Sequence, residues 1–410
     1  MNKKLIAVSI AGVLAAPLAA QAGVEVYGRA DVSVDYSNNS DNQTDASGSA
    51  IGVSSTASRL GFKGDEDMGN GLSALWQLEE GVDFSTNNGN SSGYITDSNG
   101  NTVPVSGTNG VFTPRTSFLG LGGGFGTVLA GKLDTPYKSS TEKFDPFQDT
   151  KADFNGIMGN VGSSNNMGDI RGAVGNQAES SALYDLWTNN TLAYVSPNAG
   201  GFQVKLAYVA PSAITGNDAL PMNKADKKQS AYDVGGTYDM GAVSLIADYV
   251  AINKAVNLGS VLFNNTGTDD YKNLTAWKIG GAYTIRDATT LALIYESAGS
   301  VSQDRSATYE VKSRNAYYFS ASHKIGETTL KLAYANADKS GGNADDNGAY
   351  QISVGASQEL SKNTDMYALF TMLHNNGGGE YSLAYGPANA VAGKNEDVLS
   401  IGLTHLFSSK

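Results

Sequence analysis

The chain of 410 residues contains no cysteine, only three histidines and only nine prolines. Because cysteine is absent, the protein has neither a disulfide framework nor thiol chemistry. The histidines, His323, His374 and His405, show no metal-binding spacing of the H-E-x-x-H kind. There is no G-x-S-x-G elbow and no Ser/His/Asp spacing either. We therefore expect a protein that is not an enzyme and has no catalytic, metal-binding or cofactor-binding residues.

Long apolar runs and an excess of positive charge are also absent. After residue 22 no stretch reaches the roughly 18 apolar residues that a membrane-spanning helix requires, which excludes a helical membrane protein. The formal net charge is −12, so the chain lacks the basic surface that binding to nucleic-acid phosphates requires. Glycine, in contrast, is abundant at 49 residues, which suits a fold with many strands and turns.

The N-terminus has the features of a secretory signal. Two lysines form a basic region, an apolar stretch follows up to Ala20, and Ala20-Gln21-Ala22 is an A-x-A cleavage site. We predict that residues 1–22 are a signal peptide cleaved after Ala22. Residues 23–410 are then a single exported domain.

Short segments that alternate apolar and polar residues recur along the rest of the chain. The first runs from Val24 to Tyr36, with charges at odd positions such as Glu25, Arg29 and Asp31. Side chains of a strand point alternately to its two faces, so one face of this segment is apolar and the other is charged. Repeated behind a signal peptide, the pattern predicts a β-barrel with a lipid-facing outside and a watery inside.

The predicted fold is all-β: a transmembrane, 16-stranded antiparallel β-barrel. An even number is expected where every strand pairs antiparallel with its neighbours and the sheet closes. Short and long connections alternate, which predicts short periplasmic turns at one rim and long extracellular loops at the other. The predicted strands lie near residues 24–36, 58–66, 71–84, 114–121, 124–133, 189–196, 201–210, 230–239, 242–252, 274–285, 289–298, 313–325, 328–337, 349–360, 364–374 and 397–407.

The third long connection, from Asp134 to Thr188, is about 55 residues long. Structureless connections of this length are uncommon and are usually functional or disordered. Phe144, Phe147 and Phe154 within it could pack against a barrel wall, so we expect the loop to fold. A mobile external loop is the alternative.

Five segments of the chain carry distinctive motifs. They are residues 26–31 (VYGRAD), 58–72 (SRLGFKGDEDMGNGL), 125–132 (FGTVLAGK), 194–202 (YVSPNAGGF) and 401–407 (IGLTHLF). Together they resemble the trimeric general porins of Gram-negative bacteria, and the resemblance covers the whole mature chain. It implies a 16-stranded barrel, a homotrimer, and a third long loop that is folded inward to narrow the pore.

The chain departs from the resembled family at three places. Lys132 stands where the family usually has arginine, and Leu186-Trp187 stands just before the sixth strand, where another basic residue is common. Residues 408–410 (Ser-Ser-Lys) follow Phe407, whereas family chains tend to end on the aromatic residue. The first two departures bear on ion selectivity and the third on assembly.

Strand parity and the cost of charge in lipid assign a set of basic residues to the lumen. Arg115 points inward if Phe118 faces lipid, and Lys132 is assigned inward because a lysine facing lipid costs ~2–4 kcal/mol at the bilayer midplane. All members come from the first five strands and can form a basic patch on one lumen wall: Arg29, Arg59, Lys63, Arg115 and Lys132.

The third long loop supplies charges of the opposite sign: Glu142, Asp145, Asp149 and Asp153. If this loop folds inward, acids face bases across a constriction, and a transverse field sorts solutes by charge and size. The basic residues also have an alternative role, in which each only pairs with a nearby acid such as Glu25, Asp31 or Glu79.

These features predict an outer-membrane porin, a water-filled channel for passive diffusion. The alternatives are a sugar- or oligosaccharide-specific porin, with Trp187 as a candidate contact, and a structural or adhesive barrel. The expected partners are two further copies of the chain, outer-membrane lipids, ions and small hydrophilic solutes, with no nucleic acid. Acids in the long loops make the pore mouth negative, which predicts a weak cation preference that fades at high salt.

Overall fold

A computed structural model describes residues 23–39, 48–85, 91–96, 102–107, 112–161, 184–185, 187–211, 230–257, 271–303, 309–341, 346–385 and 392–409. The predicted signal peptide and Leu186 lie outside this range. The described strands are β1 (Glu25–Asn39), β2 (Gly48–Ser54), β3 (Arg59–Gly69), β4 (Leu72–Val82), β5 (Ser91–Thr96), β6 (Thr102–Gly107), β7 (Phe112–Pro114), β8 (Ser117–Gly123), β9 (Gly126–Asp134), β10 (Trp187–Val195), β11 (Phe202–Val209), β12 (Ser230–Met240), β13 (Val243–Asn257), β14 (Tyr271–Ile285), β15 (Thr289–Gln303), β16 (Tyr309–Ile325), β17 (Thr328–Ala337), β18 (Ala349–Ser361), β19 (Thr364–Asn375) and β20 (Glu396–Ser408).

All of these strands except β5 and β6 belong to one antiparallel sheet that closes on itself. The last strand, β20, pairs with the first, β1, from Tyr27 opposite Ser408 to Asn39 opposite Glu396. Closure removes the free edges, so no strand is left with unpaired backbone groups in lipid. The strands β5 and β6 pair only with each other, as a hairpin in the second long loop.

The barrel has sixteen strands, as predicted, because two of them are interrupted. The strands β2 and β3 pair in succession with β1, and β7 and β8 pair in succession with β4. Residues 48–54 were expected in a loop but form β2. Their lumen-facing positions hold the small Ala50 and Gly52, opposite Ser37 and Asp35, so the apolar–polar alternation is weak there.

The alternation that predicted the barrel is clear on β20. Leu399, Ile401 and Leu403 are exposed on the outer face, whereas Ser400 and Thr404 are buried on the lumen face. The other strands carry exposed apolar residues in the same rhythm. An outer face this apolar is stabilised by lipid, because a soluble protein rarely leaves so large an apolar surface in water.

The third long loop folds into the lumen, as expected. It begins with the helix α1 (Pro136–Thr141), which Thr135 caps by accepting a hydrogen bond from the Lys138 backbone N–H at 3.3 Å. Two short 3-10 helices follow, Glu142–Phe144 and Phe154–Gly156. Within the part of the chain that the structure describes, no helix is long and apolar enough to cross a membrane.

The loop is held by an apolar cluster that also includes the barrel wall. Its aromatic and aliphatic side chains are buried against residues of β13 and β15 to β20. The loop contributes Phe144, Phe147, Ala152, Phe154, Ile157 and Met158, and the wall residues include Ile294, Tyr318, Ala333, Leu369 and Leu373. At roughly 1.5–3 kcal/mol for each large side chain, this burial is enough to keep the loop inside.

Aromatic rings of neighbouring strands lie over glycines around the seam where the barrel closes. At Gly28 of β1, a Cβ atom would lie 2.3 Å from the ring of Phe407 and 2.6 Å from the Arg59 carbonyl oxygen. Three other pairs have the same arrangement: Gly61 under Tyr27, Gly64 under Trp76 and Gly402 under Tyr367. These contacts fix the register of the first and last strands.

We expect Gly28→Ala to destabilise the barrel, because the added methyl group forces Phe407 or the neighbouring backbone to move. Overpacking of this kind costs ~1–3 kcal/mol. Heat-modifiable gel migration and the unfolding temperature of the refolded protein measure the effect. Gly52→Ala is the matched control, since nothing lies within 4 Å of its added Cβ. Equal stability of the two variants would contradict this role of the seam.

Candidate functional site

Three arginines form the basic side of the constriction. Arg29 of β1 and Arg59 of β3 stand directly opposite each other in the sheet, so their side chains share the lumen face. Arg115 comes from the interruption between β7 and β8. Arg59 thus begins the strand segment after one interruption, Arg29 stands opposite that interruption, and Arg115 lies within the other.

Arg115 reaches the lumen for a reason different from the one predicted. Phe118 does not face lipid: it lies opposite Gln77 on the lumen side, and the next residue, Leu119, is 66% exposed on the outside. The strand β4 pairs with β7 up to Pro114 and with β8 from Phe118 onward. Between these two pairings, residues 115–117 lie opposite only two residues of β4, Leu78 and Glu79. This bulge shifts the parity and turns Arg115 inward.

Each of these arginines has a carboxylate partner. Arg29 lies 2.7 Å from the Asp31 carboxylate, and the Arg115 Nε donates to the Glu79 carboxylate at 3.0 Å. Arg59 donates to Asp149 of the third loop at 3.0 Å. The three arginines therefore lie together, as in a basic patch, and each is also paired with an acid, as in the alternative role.

Asp149 joins the third loop to the wall. Its carboxylate also lies 3.8 Å from Arg29, and its backbone has a φ of +63°, a conformation that Asp and Asn tolerate better than most residues. Burial raises the pKa of the Asp149 carboxyl, but the guanidinium groups of Arg59 and Arg29 outweigh burial and hold that pKa well below its ordinary value. Asp149 thus stays charged in mild acid.

The other two basic residues predicted for the wall lie apart from the arginines. Lys63 pairs with Glu25 at 3.5 Å and lies over the ring of Tyr27. Lys132 alternates with the buried Leu133, so parity puts it on the outer row of β9, and its ammonium donates to the Pro114 carbonyl. The structure thus places Lys132 on the outer row and not in the lumen, where it was predicted to lie. Its hydrogen bond to the Pro114 carbonyl oxygen gives the ammonium a partner there.

The remaining loop acids hold the loop together. Asp145 accepts hydrogen bonds from two backbone N–H groups and from the Tyr318 hydroxyl at 2.7 Å, and burial raises its pKa to about 6. Asp153 caps the second 3-10 helix through the Asn155 N–H at 2.9 Å. Glu142 pairs with Lys138 at 2.5 Å. Of the four acids predicted, only Asp149 meets the wall arginines.

A further basic group, not predicted from the sequence, stands beside the wall. The indole of Trp187 has the Arg115 guanidinium 4.5 Å from its ring centroid and the Lys138 ammonium 4.6 Å from it. Contacts of this geometry are favourable cation–π interactions. Burial lowers the pKa of Lys138, but Glu142 and Asp134 outweigh it and raise that pKa above its ordinary value. Lys138 therefore places a positive charge next to Trp187, where the resembled family commonly has a basic residue.

The opposite wall anchors the loop through buried charges. Glu296 of β15 accepts from the Tyr137 hydroxyl at 2.8 Å and from the Gly159 N–H at 3.0 Å, so it ties the start of the loop to a residue near the middle of the loop. Arg314 of β16 lies 2.8 Å from the same carboxylate, and all these groups are buried. Lys278 adds a pair with Asp185 at 3.1 Å.

The alternation of residues along their strands predicts that these charged anchor residues face the lumen. Lys278, Glu296 and Arg314 are buried, and the residues on either side of each along the strand are more exposed, as expected for lumen-facing positions. Which partner each one meets depends on the path of the third loop, and that path is set by contacts distant in sequence. Among the described residues, no group of three or more His, Cys, Asp or Glu side chains could hold a metal ion.

A cavity that is open to solvent lies between the loop and the wall. Its lining mixes both signs of charge with aromatic rings, and it includes two residues of the last long loop. The lining residues are Lys138, Glu142, Gln148, Asp149, Asp153, Phe154, Asn155, Asp185, Trp187, Ala384 and Tyr385. A lining of this kind offers polar contacts to water, ions and small polar solutes.

A closed barrel with an inward loop and a charged constriction is an outer-membrane channel. The family described as Gram-negative porin matches residues 7–378, and the chain belongs to that family. The chain is 28% identical over 425 residues to outer membrane porin protein 32 of Delftia acidovorans, covering 99% of this chain and 100% of the relative. It is 27% identical over 396 residues to the major outer membrane protein P.IB of Neisseria sicca, covering 93% and 96%.

Solved structures show the same fold. The anion-selective porin from Comamonas acidovorans superposes with a TM-score of 0.67 at 24% identity, covering 94% of this chain and 100% of that chain. The predicted family, barrel and outer-membrane location are thus confirmed. The protein is a general porin that forms a diffusion channel, and not an enzyme.

We expect Glu296→Gln to loosen the third loop, because it leaves the buried Arg314 without a counter-charge. Breaking a buried ion pair from one side costs ~3–5 kcal/mol. The unfolding temperature should fall, and single-channel current should become noisier as the loop moves. Glu327→Gln, in an exposed turn, is the control. A quiet channel of unchanged stability would show that Glu296 does not hold the loop.

Proposed function

We propose that this porin passes ions and small hydrophilic solutes through a constriction whose charges nearly balance, and that it prefers cations only weakly. The pairing of each wall arginine with a carboxylate at 3.0 Å or less carries the proposal. A paired arginine attracts a passing anion less than a free one does, because its partner opposes the field. The basic wall therefore does not act as five unopposed positive charges.

Because the wall arginines are paired, the acidic residues of the pore mouth contribute a larger net electric field than the wall does. The chain carries 40 acidic and 28 basic residues, and two of the basic ones belong to the proposed signal peptide. A negative surface concentrates cations over about a Debye length, ~8 Å at physiological salt. The anion-selective porin from Comamonas acidovorans is the contrasting case. Asp149 between Arg29 and Arg59 is our reason for expecting a different preference here.

Assembly and export complete the proposal. We propose that residues 1–22 are removed after Ala22 and that the domain 23–410 assembles as a homotrimer. The support is the family and a related fold, OmpT of Vibrio cholerae, whose solved structures include a trimer form at a TM-score of 0.55. Migration near three times the monomer mass on a denaturing gel before boiling is expected. Monomer alone in mild detergent would contradict the trimer.

A sugar-specific porin remains the second candidate, and one observation bears on it. Sugar sites in channels use aromatic faces, and the cavity contains Trp187 and Tyr385. Arg115 and Lys138 already lie against the Trp187 ring, which favours the general channel. Planar-bilayer recording separates the candidates: current blocked by added maltose-like sugars supports the specific porin. A protein that inserts but stays silent would support a structural barrel.

We expect Asp149→Asn to shift selectivity toward anions. The substitution frees Arg59 and Arg29 from their shared partner, and a unit charge ~4 Å from an ion is worth about 1 kcal/mol in water. The potassium-to-chloride permeability ratio, measured from reversal potentials, should fall several-fold. Asparagine suits the φ of +63°, so the backbone is preserved.

Asp287→Asn is the matched control for Asp149→Asn. Asp287 is exposed in a short turn and also has a positive φ, +55°, so the two variants differ only in where the charge is lost. The control should leave the permeability ratio unchanged. If both variants shift the ratio equally, net charge and not the constriction explains the change.

Mild acidification titrates the exposed carboxylates and leaves the charge of Asp149 in place. Exposed carboxylates titrate near pH ~4, whereas the pKa of Asp149 is depressed, so its stabilising contribution is present above the ordinary Asp pKa and is lost only in stronger acid. Lowering the pH from 7 to about 4 should therefore reduce cation preference gradually, with the same slope in wild type and Asp149→Asn. A preference unaffected by pH over this range would contradict a mouth-controlled selectivity.

A further inference from the structure

The last long loop, between β19 and β20, also enters the barrel. The side chains in this part of the loop are buried: Tyr381, Ser382 and Leu383 are each at most 2% exposed. Tyr381 and Leu383 belong to the same apolar cluster as Phe147 and Phe154 of the third loop. This part of the last loop therefore packs on the third loop inside the lumen and does not project from the rim.

Hydrogen bonds at the root of the loop fix this position. The Asn375 side chain accepts from the Tyr381 N–H at 2.9 Å and donates to the Tyr381 carbonyl at 2.8 Å. On the other limb, Glu396 accepts from the Leu383 N–H at 2.9 Å. Asn375 ends β19 and Glu396 begins β20, so both ends of the loop are tied to the wall that carries it.

The third loop reaches the last loop directly. Lys151 donates its ammonium hydrogen to the Tyr385 carbonyl oxygen. Tyr385 has a φ of +55°, a left-handed conformation that is costly for an aromatic residue and persists only where the surroundings enforce it. The Lys151 contact is one such constraint at this residue.

Tyr385 and Ala384 line the open cavity together with Lys138, Asp149 and Trp187. The passage beside the wall arginines is thus bordered by the third loop and by the last loop. An aromatic ring on this border reduces the cross-section for a bulky solute much more than for a hydrated ion.

We propose that Tyr385 is a size-limiting residue of the channel, held in the passage by Lys151 and by the buried segment Tyr381–Leu383. The last loop closes the side of the constriction that the third loop leaves open. The affected solutes are neutral, hydrophilic molecules of disaccharide size and larger. Charge selectivity remains with Asp149 and the arginines.

Tyr385→Gly tests this directly, because glycine removes the ring and suits the positive φ. Single-channel conductance should rise, and in liposome swelling the uptake rate of a disaccharide should rise by a larger factor than that of a monosaccharide. Phe84→Gly removes an exposed aromatic ring at the start of another long loop and should change neither. An unchanged ratio of disaccharide to monosaccharide uptake would overturn the proposal.

A second variant uses the absence of cysteine in the chain. Tyr385→Cys provides a unique thiol, and a bulky thiol-reactive reagent applied to the open channel should modify it and remove most of the current. Asp287→Cys, in a short turn, should be modified without loss of current. Failure of Tyr385→Cys to react, or reaction with the current intact, would show that residue 385 does not line the passage.

Discussion

The hydrogen bonds between β1 and β20 are the constraint on which the rest of this structure depends. Lipid offers no partners to backbone groups, so the sheet is stable in the membrane only when its first and last strands pair. Glycines at the seam let aromatic rings from adjacent strands lie flat on the sheet, as Phe407 does over Gly28. A sheet of sixteen strands closed in this way encloses a lumen too wide for wall side chains to fill.

The lumen is filled by loops, and their charges require partners. Glu296 and Arg314 on one wall hold Gly159 and its neighbours in the third loop, and Arg29 and Arg59 on the other wall meet Asp149 of the same loop. The contacts that keep the loop in place are therefore the contacts that set the charge of the passage. The pair between Arg59 and Asp149 thus has two effects: it ties the loop to the wall and it balances the charge beside the loop.

The alternation of apolar and polar residues, and of short and long connections, was sufficient to predict the barrel. Lipid outside and water inside require outward residues to be apolar and inward ones polar, so the strand sequences have a period of two. Arg29 and Arg59 were found in this way. The parity argument for Arg115 failed because a bulge changes the count, although Arg115 does face the lumen. The lipid-cost argument failed at Lys132, which parity places on the outer row of β9. Parity also missed β2, whose lumen face is made of small residues.

Contacts between loops could not be predicted from the sequence. Lys138 meets Trp187, and Lys151 meets Tyr385, because the third loop follows a path set by apolar packing with residues more than a hundred positions away. The Gly-rich last loop has the composition of a solvent-exposed segment, and only its buried Tyr381 and Leu383 reveal that it lies inside.

The central claim is that the constriction is nearly balanced in charge and that the acidic mouth sets the preference. The reversal potential of the unmodified channel in a KCl gradient tests it most directly, measured near 0.1 M, where the Debye length is ~10 Å, and again near 1 M, where it is ~3 Å. We predict a weak cation preference at low salt that disappears at high salt. A clear anion preference at low salt would contradict the account, since it would mean that the arginines act as free charges despite their carboxylate partners.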